Sequence, residues 1–458
     1  MTDWVPSLSS QRGPRYVSIV DQLETDIAAG RVRPGTRLLP QRDMAERLGI
    51  SVGTVSKAYA EAEQRGLISG EVGRGTFVLR RKPQARTESG GGRPAGINLA
   101  LNVPPATGEA DLIAATLAEI VSDSEIGDLL GYLPHQGRRD HREAIASWLA
   151  NHGMAADPDR VFITHGAQHA LSIALGMVAH PGDPVLTESL TYSGMLALSA
   201  QHGYRLHGVT MDAHGLVPDA LDAAFRETGA RALYCMPTLQ TPTGIVMPHD
   251  RRLAIADVLR RHDAYLLEDD AYAFLMPVPP QPLSTLVPER AFYAVSLAKC
   301  LAPGLRIGAM IAPDAFRDRC INALRATGWM AVPVMAEAAA RLIRNGSMER
   351  QAMLKREKAA RRDDVLRRVL KDWLPPRSGP PCFHVWLPLP MGRTLMAFIA
   401  QAAQAGITLA PPGALRPQDP GSLGVRLCLG APASEADIEA AVTELRAILE
   451  MPEAISLV

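Results

Sequence analysis

The sequence predicts an α/β protein in two unequal parts. A small N-terminal module of three helices and a hairpin precedes a large body built on a mainly parallel sheet, with a smaller C-terminal α+β lobe. Three observations predict this. The stretch RRKPQARTESGGGRPAGI at residues 80–97 is rich in Gly, Pro and charge, a composition that buries no core and reads as a flexible linker. Before it, apolar residues recur at helical spacing in three short blocks. After it, short apolar runs alternate with helical patterns, the cadence of parallel strands joined by crossover helices. The expected units are residues 14–79, the linker 80–97, and a body 98–458 whose smaller lobe begins at about residue 350.

Composition narrows the class. The 458 residues are 47% hydrophobic and 21% charged, ordinary values for a globular protein. Lys plus Arg and Asp plus Glu both count 48, which excludes a chain coated uniformly in positive charge. The zero sum hides an asymmetry. Residues 1–82 carry 13 basic against 9 acidic side chains, and residues 83–458 carry 35 against 39. A basic head on a mildly acidic body is the first hint of a nucleic-acid partner. The five cysteines are scattered with no CxxC pair, so neither a disulfide framework nor a zinc site is indicated. The opening MTDWVPSLSS lacks a secretory pattern, and no run of 18 apolar residues occurs. A cytoplasmic protein with no membrane partner is expected.

The head reads element by element. Tyr16, Ile19, Val20, Leu23 and Ile27 recur at helical spacing, with Gly30 as a stop. After the PGTRLLP turn, QRDMAERLG forms a second helix with Met44, Ala45 and Leu48 inward. Ser51 caps a third helix running to about Arg65, with Val55, Tyr59 and Ala62 as its inner stripe. The runs LIS and TFVL flank GEVGRG, a hairpin with a glycine-rich tip. Three helices followed by a hairpin is the order of a winged helix-turn-helix, whose third helix enters the DNA major groove. The candidate DNA contacts are Ser51, Thr54, Ser56 and Lys57 on helix three, Arg42 at the start of helix two, and Arg74 in the wing. Phosphate contacts would supply salt-dependent affinity and base contacts specificity.

In the body, VFIT, VLTE, ALYCM, AYLLE, FYAVS and GAMIA read as strands, and a long charged helix at about 348–373 leads to FHVWL, ITL and VRLCL. Chemistry in open α/β sheets gathers at strand ends. VFIT runs into HGAQHALSIAL, whose first-turn N–H groups at Ala167 and Gln168 suit an anion. AYLLEDDAY places acids at a strand end, with Tyr272 three residues beyond Asp269, and a buried carboxylate there could pair with a protonated ring nitrogen. SLAKCLAPGLRIG places Lys299 just past FYAVS, between Ser296 and Arg306. A buried strand-end lysine loses its proton readily and forms Schiff bases. Ser296 and Arg306 suit a phosphate dianion. A lysine imine, an acid for a pyridinium and a phosphate cradle are the requirements of pyridoxal 5'-phosphate. His165, His169, His202 and His384 show no metal spacing, so no metal is expected.

Both parts also resemble known families. PGTRLLPQRDMAERLGISVGTVSKAYAEAEQRGLISGEVGRGTFV resembles the N-terminal domain of GntR-type bacterial regulators, with Val52 and Gly53 where many members carry an arginine. The body resembles fold-type I pyridoxal-phosphate enzymes of the aminotransferase class I/II group over nearly all of 98–458. The resemblance rests on GYLPHQGRRDHREAIASWL, FITHGAQHAL, PGDPVLTESLTYSG, MPTLQTPTG, LLEDDAY, SLAKCLAPGLRIG and GVRLCL. It implies that Lys299 forms the Schiff base, Asp269 pairs with the pyridine nitrogen, Tyr272 reaches the ring 3-hydroxyl and Tyr192 stacks on the ring. It further implies that Ala167, Gln168, Ser296 and Arg306 hold the phosphate, Arg426 binds a substrate or effector carboxylate, and Tyr132 serves the partner subunit's site. Thr241 stands where many relatives place an asparagine on the ring hydroxyl, and Ala298 and Ala167 stand where serines are frequent. Cofactor binding with weakened or altered chemistry is the expectation.

A GntR-type head joined to an aminotransferase-like body is the arrangement of the MocR subfamily. That resemblance implies a homodimer, often with each head docked on the other subunit's body. It also implies a transcriptional regulator that binds a double-stranded DNA operator and senses an amino compound through external aldimine formation at Lys299. A working aminotransferase carrying a DNA-binding head is the alternative, and an adaptor whose head contacts protein is a third reading.

Overall fold

The computed structural model describes residues 4–6, 15–28, 31–32, 36–64, 67–71, 75–78, 96–124, 126–415 and 423–451. Arg74, the wing tip and the linker through residue 95 lie outside them. The chain divides into two compact units, Met1–Pro94 and Ala95–Val458.

The head follows the expected order: α1 (Arg15–Ala28), α2 (Gln41–Leu48), α3 (Val52–Gln64), β1 (Ile68–Glu71) and β2 (Gly75–Val78). Ile19, Val20 and Leu23 of α1 meet Met44 and Ala45 of α2 and Val55, Tyr59 and Ala62 of α3 in one buried cluster. The α2–α3 turn is sharp because Gly49 takes a left-handed conformation, φ 62°, which glycine adopts without steric cost. Ser51 caps α3 as expected, its Oγ accepting from the Thr54 N–H at 3.2 Å. The wing strands pair antiparallel from Ile68↔Val78 to Glu71↔Gly75. The PGTRLLP segment, read as a turn and a short extended link, adds to them: the Leu38 N–H donates to Thr76 O and the Val78 N–H to Thr36 O, both at 2.9 Å. Inside the core, Tyr59 Oη donates to the Leu39 carbonyl at 2.7 Å, fastening α3 to that segment.

The body is built on a seven-stranded sheet. Its strands are β3 (Val161–Thr164), β4 (Pro184–Glu188), β5 (Arg205–Val209), β6 (Ala232–Cys235), β7 (Tyr265–Asp270), β8 (Ala291–Ser296) and β9 (Gly308–Ile311). They lie in the order β3-β9-β8-β7-β6-β4-β5. Only β9 runs antiparallel to its neighbours. Six strands match the apolar runs. The seventh, β5, was not expected, because as an edge strand it leaves Arg205 exposed and Leu206 and His207 half-buried, so it carries no apolar run. Strands buried on both faces read as continuous apolar stretches, and β3, β6 and β9 are buried throughout.

The smaller lobe corrects two expected boundaries. Ile97–Asn98 pairs in parallel with Ile407–Thr408, so ordered structure begins before residue 98, and the start of the body contributes to the C-terminal lobe. The long helix α5 (Ser347–Leu370) spans both cores. Met348, Ala352 and Ala359 pack with the sheet, whereas Leu366 and Leu370 pack with the lobe, so the lobe boundary falls inside the helix and later than residue 350. β10 (His384–Pro388) and β11 (Gly424–Cys428) pair antiparallel under α5 and α6 (Glu435–Glu450). A reciprocal Ser434–Asp437 capping box starts α6.

Tyr59→Phe tests the head. It leaves the buried Leu39 carbonyl without its donor, and urea unfolding of residues 1–94 is expected to show a loss of about 1–2 kcal/mol. An unchanged midpoint would mean that the bond contributes nothing.

Candidate functional site

Three acids end strand β7, and strand alternation sends them to different faces. Glu268 turns toward the amides of Leu283 and Ser284, at 3.2 and 2.6 Å, and Asp270 toward the amides of Tyr272 and Ala273 and the hydroxyl of Tyr293. Both are fully bonded. Asp269 faces the other way. Its Oδ2 accepts from Tyr234 Oη at 2.9 Å, while its Oδ1 is buried with no hydrogen-bond partner among the described residues. Burial pushes this carboxyl up to about 7, because a desolvated carboxylate is disfavoured.

Lys299 follows strand β8 and donates from Nζ to the carbonyl of Asn102. Burial pushes its ammonium down to about 8, and the positive charge of Arg426 adds to the shift. Arg426 stands on β11 and donates to the Ala100 carbonyl at 3.2 Å. Tyr272 is buried, accepts from Asn102 Nδ2 at 2.7 Å, and lies against the ring of His384 at 5.3 Å between centroids. Thr241, buried beside it, precedes a cis proline. Burial and the neighbouring Asp269 raise the Tyr192 phenol. The sheet ends therefore bring together Lys299, Asp269, Tyr272, Thr241, Tyr192 and Arg426.

A second cluster adjoins this one. Helix α4 (Ala167–Val178) starts after Gly166, opposite Arg306, whose Nη2 donates to His165 O at 3.0 Å. Gly308 permits the close approach, since a Cβ there would sit 2.5 Å from Val295 O and 2.8 Å from the Gly166 backbone. Gln168 donates to Gly194 O at 2.8 Å and leaves its Oε1 buried without a partner among the described residues. Ser296 Oγ accepts from the Ala298 N–H at 3.2 Å. Tyr132 stays apart. It is 84% exposed and packs on Trp329 at 5.5 Å.

On the head, Arg42, Ser51 and Lys57 are exposed and Thr54 and Ser56 half-buried. Ser51 and Ser56 also have structural work: Ser51 caps α3, and Ser56 Oγ donates to Gln41 Oε1 at 2.7 Å. Arg74 is outside the described residues.

Sequence reasoning missed Asn102 and Tyr234, each in direct contact with the central groups. Tyr234 had a readable signal, because a phenol in the middle of a fully buried strand requires a polar partner. Asn102 had none: it is one polar residue in the short run LALNVPP. The described residues also bring Asp140, His141 and Glu337 together. Here His141 Nε2 meets Glu337 Oε2 at 2.8 Å, and Arg341 donates to Glu337 at 2.6 Å. The cluster is an ion-pair network with its charges matched.

The lysine's environment sets a pH dependence. An amine with its pKa near 8 is mostly protonated below that pH, so labelling of Lys299 by an amine-selective reagent, read by peptide mass spectrometry, is expected to rise through about pH 8 and then level off. Removing the nearby positive charge in Arg426→Ala relieves repulsion of the ammonium and moves that midpoint to higher pH. A midpoint that stays put would remove Arg426 as a cause.

Comparison with known proteins identifies the family of each part. Residues 94–445 match the family described as aminotransferase class I and II, and residues 15–78 match bacterial regulatory proteins of the gntR family. The uncharacterized HTH-type transcriptional regulator YdeF of Bacillus subtilis (strain 168) is 26% identical, over 88% of this chain and 87% of its own. The probable rhizopine catabolism regulatory protein MocR of Rhizobium meliloti is 28% identical over 79% of each. The crystal structure of an archaeal alanine:glyoxylate aminotransferase superposes with a TM-score of 0.71 at 24% identity, covering 78% of this chain and 91% of that one. The sheet and lobe of the body are thus those of the aminotransferase fold, and no described helix is long and apolar enough to cross a membrane. The chain belongs to the aminotransferase class I and II family, in the MocR type that carries a gntR-family head.

Proposed function

We propose that this protein is a transcriptional regulator whose head reads operator DNA and whose body binds pyridoxal 5'-phosphate and senses an amino compound. The observation that carries the reading is the union of the two modules in one chain, across a length shared with relatives named as HTH-type transcriptional regulators. The site supports the cofactor. A buried carboxyl oxygen without a donor is costly, and Asp269 Oδ1 is such an atom. A protonated ring nitrogen is a donor of the right charge for it. When bound, pyridoxal 5'-phosphate supplies an electrophilic carbonyl carbon and an electron sink.

The chain's own groups have separable tasks. Lys299 acts as the nucleophile, its lowered pKa leaving a substantial neutral fraction near pH 8. Asp269 holds a proton-bearing nitrogen. Tyr272, with Thr241 beside it, addresses the ring hydroxyl, and Tyr192 covers the ring. The first N–H groups of α4, at Ala167 and Gln168, join Ser296 and Arg306 in holding the phosphate. Arg426 takes the carboxylate of the amino compound through its planar guanidinium, and Tyr132 serves a partner subunit in a homodimer. On DNA, Arg42, Lys57 and Arg74 contact phosphates, while Ser51, Thr54 and Ser56 lie along the groove-facing end of α3. An effector changes operator affinity only if it binds two states of the protein differently.

A second reading rests on the grouping of Lys299, Asp269, Tyr272 and Arg426 at the sheet ends: a working aminotransferase that carries a DNA-binding head. Steady-state transamination with several amino donors, abolished in Lys299→Ala, would select it. For the leading reading, operator titrations with and without pyridoxal 5'-phosphate and candidate amines are expected to give affinities that depend on both. Identical affinities throughout would sink the switch. Arg42→Ala and Lys57→Ala are each expected to weaken binding across sequences and to reduce the salt slope by about one; an unchanged slope would remove that residue from the interface.

A further inference from the structure

Residues 97–106 lead into the body from the linker and pass directly over the site. Their two ends are fastened to the body. At one end, Ile97–Asn98 pairs with Ile407–Thr408, the Leu99 N–H donates to Thr408 O at 2.9 Å, and the Cys428 N–H donates to Leu99 O at 2.8 Å. At the other, Lys355 and Lys358 of α5 donate to the carbonyls of Pro105 and Ala106, at 3.0 and 2.8 Å. Between these anchors stands Asn102. Its main-chain carbonyl accepts from Lys299 Nζ, and its carboxamide nitrogen donates to Tyr272 Oη at 2.7 Å. Its Oδ1 is buried and unpartnered among the described residues. One residue therefore touches both the amine and the phenol of the site.

We propose that Asn102 is a positioning residue that ties Lys299 and Tyr272 to the lead-in segment, so that a change at the lysine alters the chain that follows the linker. The amine donates to the Asn102 carbonyl only while one of its N–H bonds points there. Engaging Nζ elsewhere removes that bond from the middle of the segment, where Arg426 still holds the Ala100 carbonyl at 3.2 Å, and the fixed ends confine the response to residues 100–103. The local amide bonds there are short-range and depend on the segment staying in place: Ala100 and Leu101 donate to Asn98 Oδ1 at 2.9 and 3.1 Å, and Val103 donates to Leu101 O at 3.0 Å. The tether itself is a property of the folded chain. Its value as a sensor rests on the regulator reading above.

Hydrogen exchange on the full chain, without cofactor or DNA, tests the tether separately from that reading. Lys299→Ala removes the donor to the Asn102 carbonyl, and Tyr272→Phe removes the acceptor of its carboxamide. Each is expected to speed exchange at the amides of Ala100, Leu101 and Val103 by about three- to tenfold, with Leu99 and Cys428 unchanged as controls. Asn102→Ala in the Tyr272→Phe background is expected to add nothing further, since the two changes delete the same bond. If either single substitution leaves the three amides as in wild type, or if Leu99 and Cys428 quicken equally, the proposal is overturned. Operator affinity that ignores every ligand would defeat the regulator reading and leave this result standing.

Discussion

The body depends on how it manages charge removed from water. Glu188, Glu268, Asp269 and Asp270 are all buried at the sheet ends, and an isolated ion in such a place is unstable. Glu188 answers by taking amide donors from Met236 and Gln240, and burial holds its carboxyl up at about 8. Glu268 faces Arg252 at 3.8 Å as well as two backbone amides. Asp270 is saturated by a hydroxyl and two amides. Of these four acids, only Asp269 keeps a fully buried oxygen without a hydrogen-bond partner among the described residues. The geometry of the site follows from that oxygen, because a group bound there must bring a donor, and preferably a positive one.

The same desolvation acts in the opposite sense on the basic groups. Burial that raises Asp269 lowers Lys299, so the two drift toward neutrality together. Arg426 pushes the lysine further in that direction, and His384, pushed down to about 3 chiefly by burial, stays neutral beside Tyr272. The result is a buried lysine that its surroundings hold toward the neutral form. Ala298, next to the lysine, brings no polar side chain, while Asn102 brings a carboxamide from a different part of the chain.

The features that were legible in the sequence were those fixed by local pattern. Lys299 follows an apolar strand, a run of acids ends another, and Val55, Tyr59 and Ala62 recur at helical spacing, so each of these features was marked by its neighbours. What escaped was decided by distant partners. Asn102 meets Tyr272 across 170 positions of sequence, and no local pattern encodes that. Strand β5 escaped because its first three residues are exposed or half-buried and it carries no apolar run. The lobe boundary was read too early because α5 is one continuous helix whose two halves serve different cores. The triplet Glu268–Asp269–Asp270 was ambiguous in principle. Strand alternation resolves it by turning only the middle acid toward Lys299.

Whole-chain charge was a poor guide for a physical reason. At physiological salt, charges more than about 8 Å apart are largely screened at a surface, so a phosphate near α3 responds to Arg42, Lys57 and their immediate neighbours rather than to a total taken over 458 residues. The acidic excess of the body includes carboxyls that burial keeps near neutrality, Asp269 and Glu188 among them, and these contribute little field outside. The formal sum treats every acid as an exposed unit charge. The charge that matters to a DNA phosphate is the one counted among groups in contact with water and within a screening length of the helix that would meet it, where Arg42 and Lys57 are exposed.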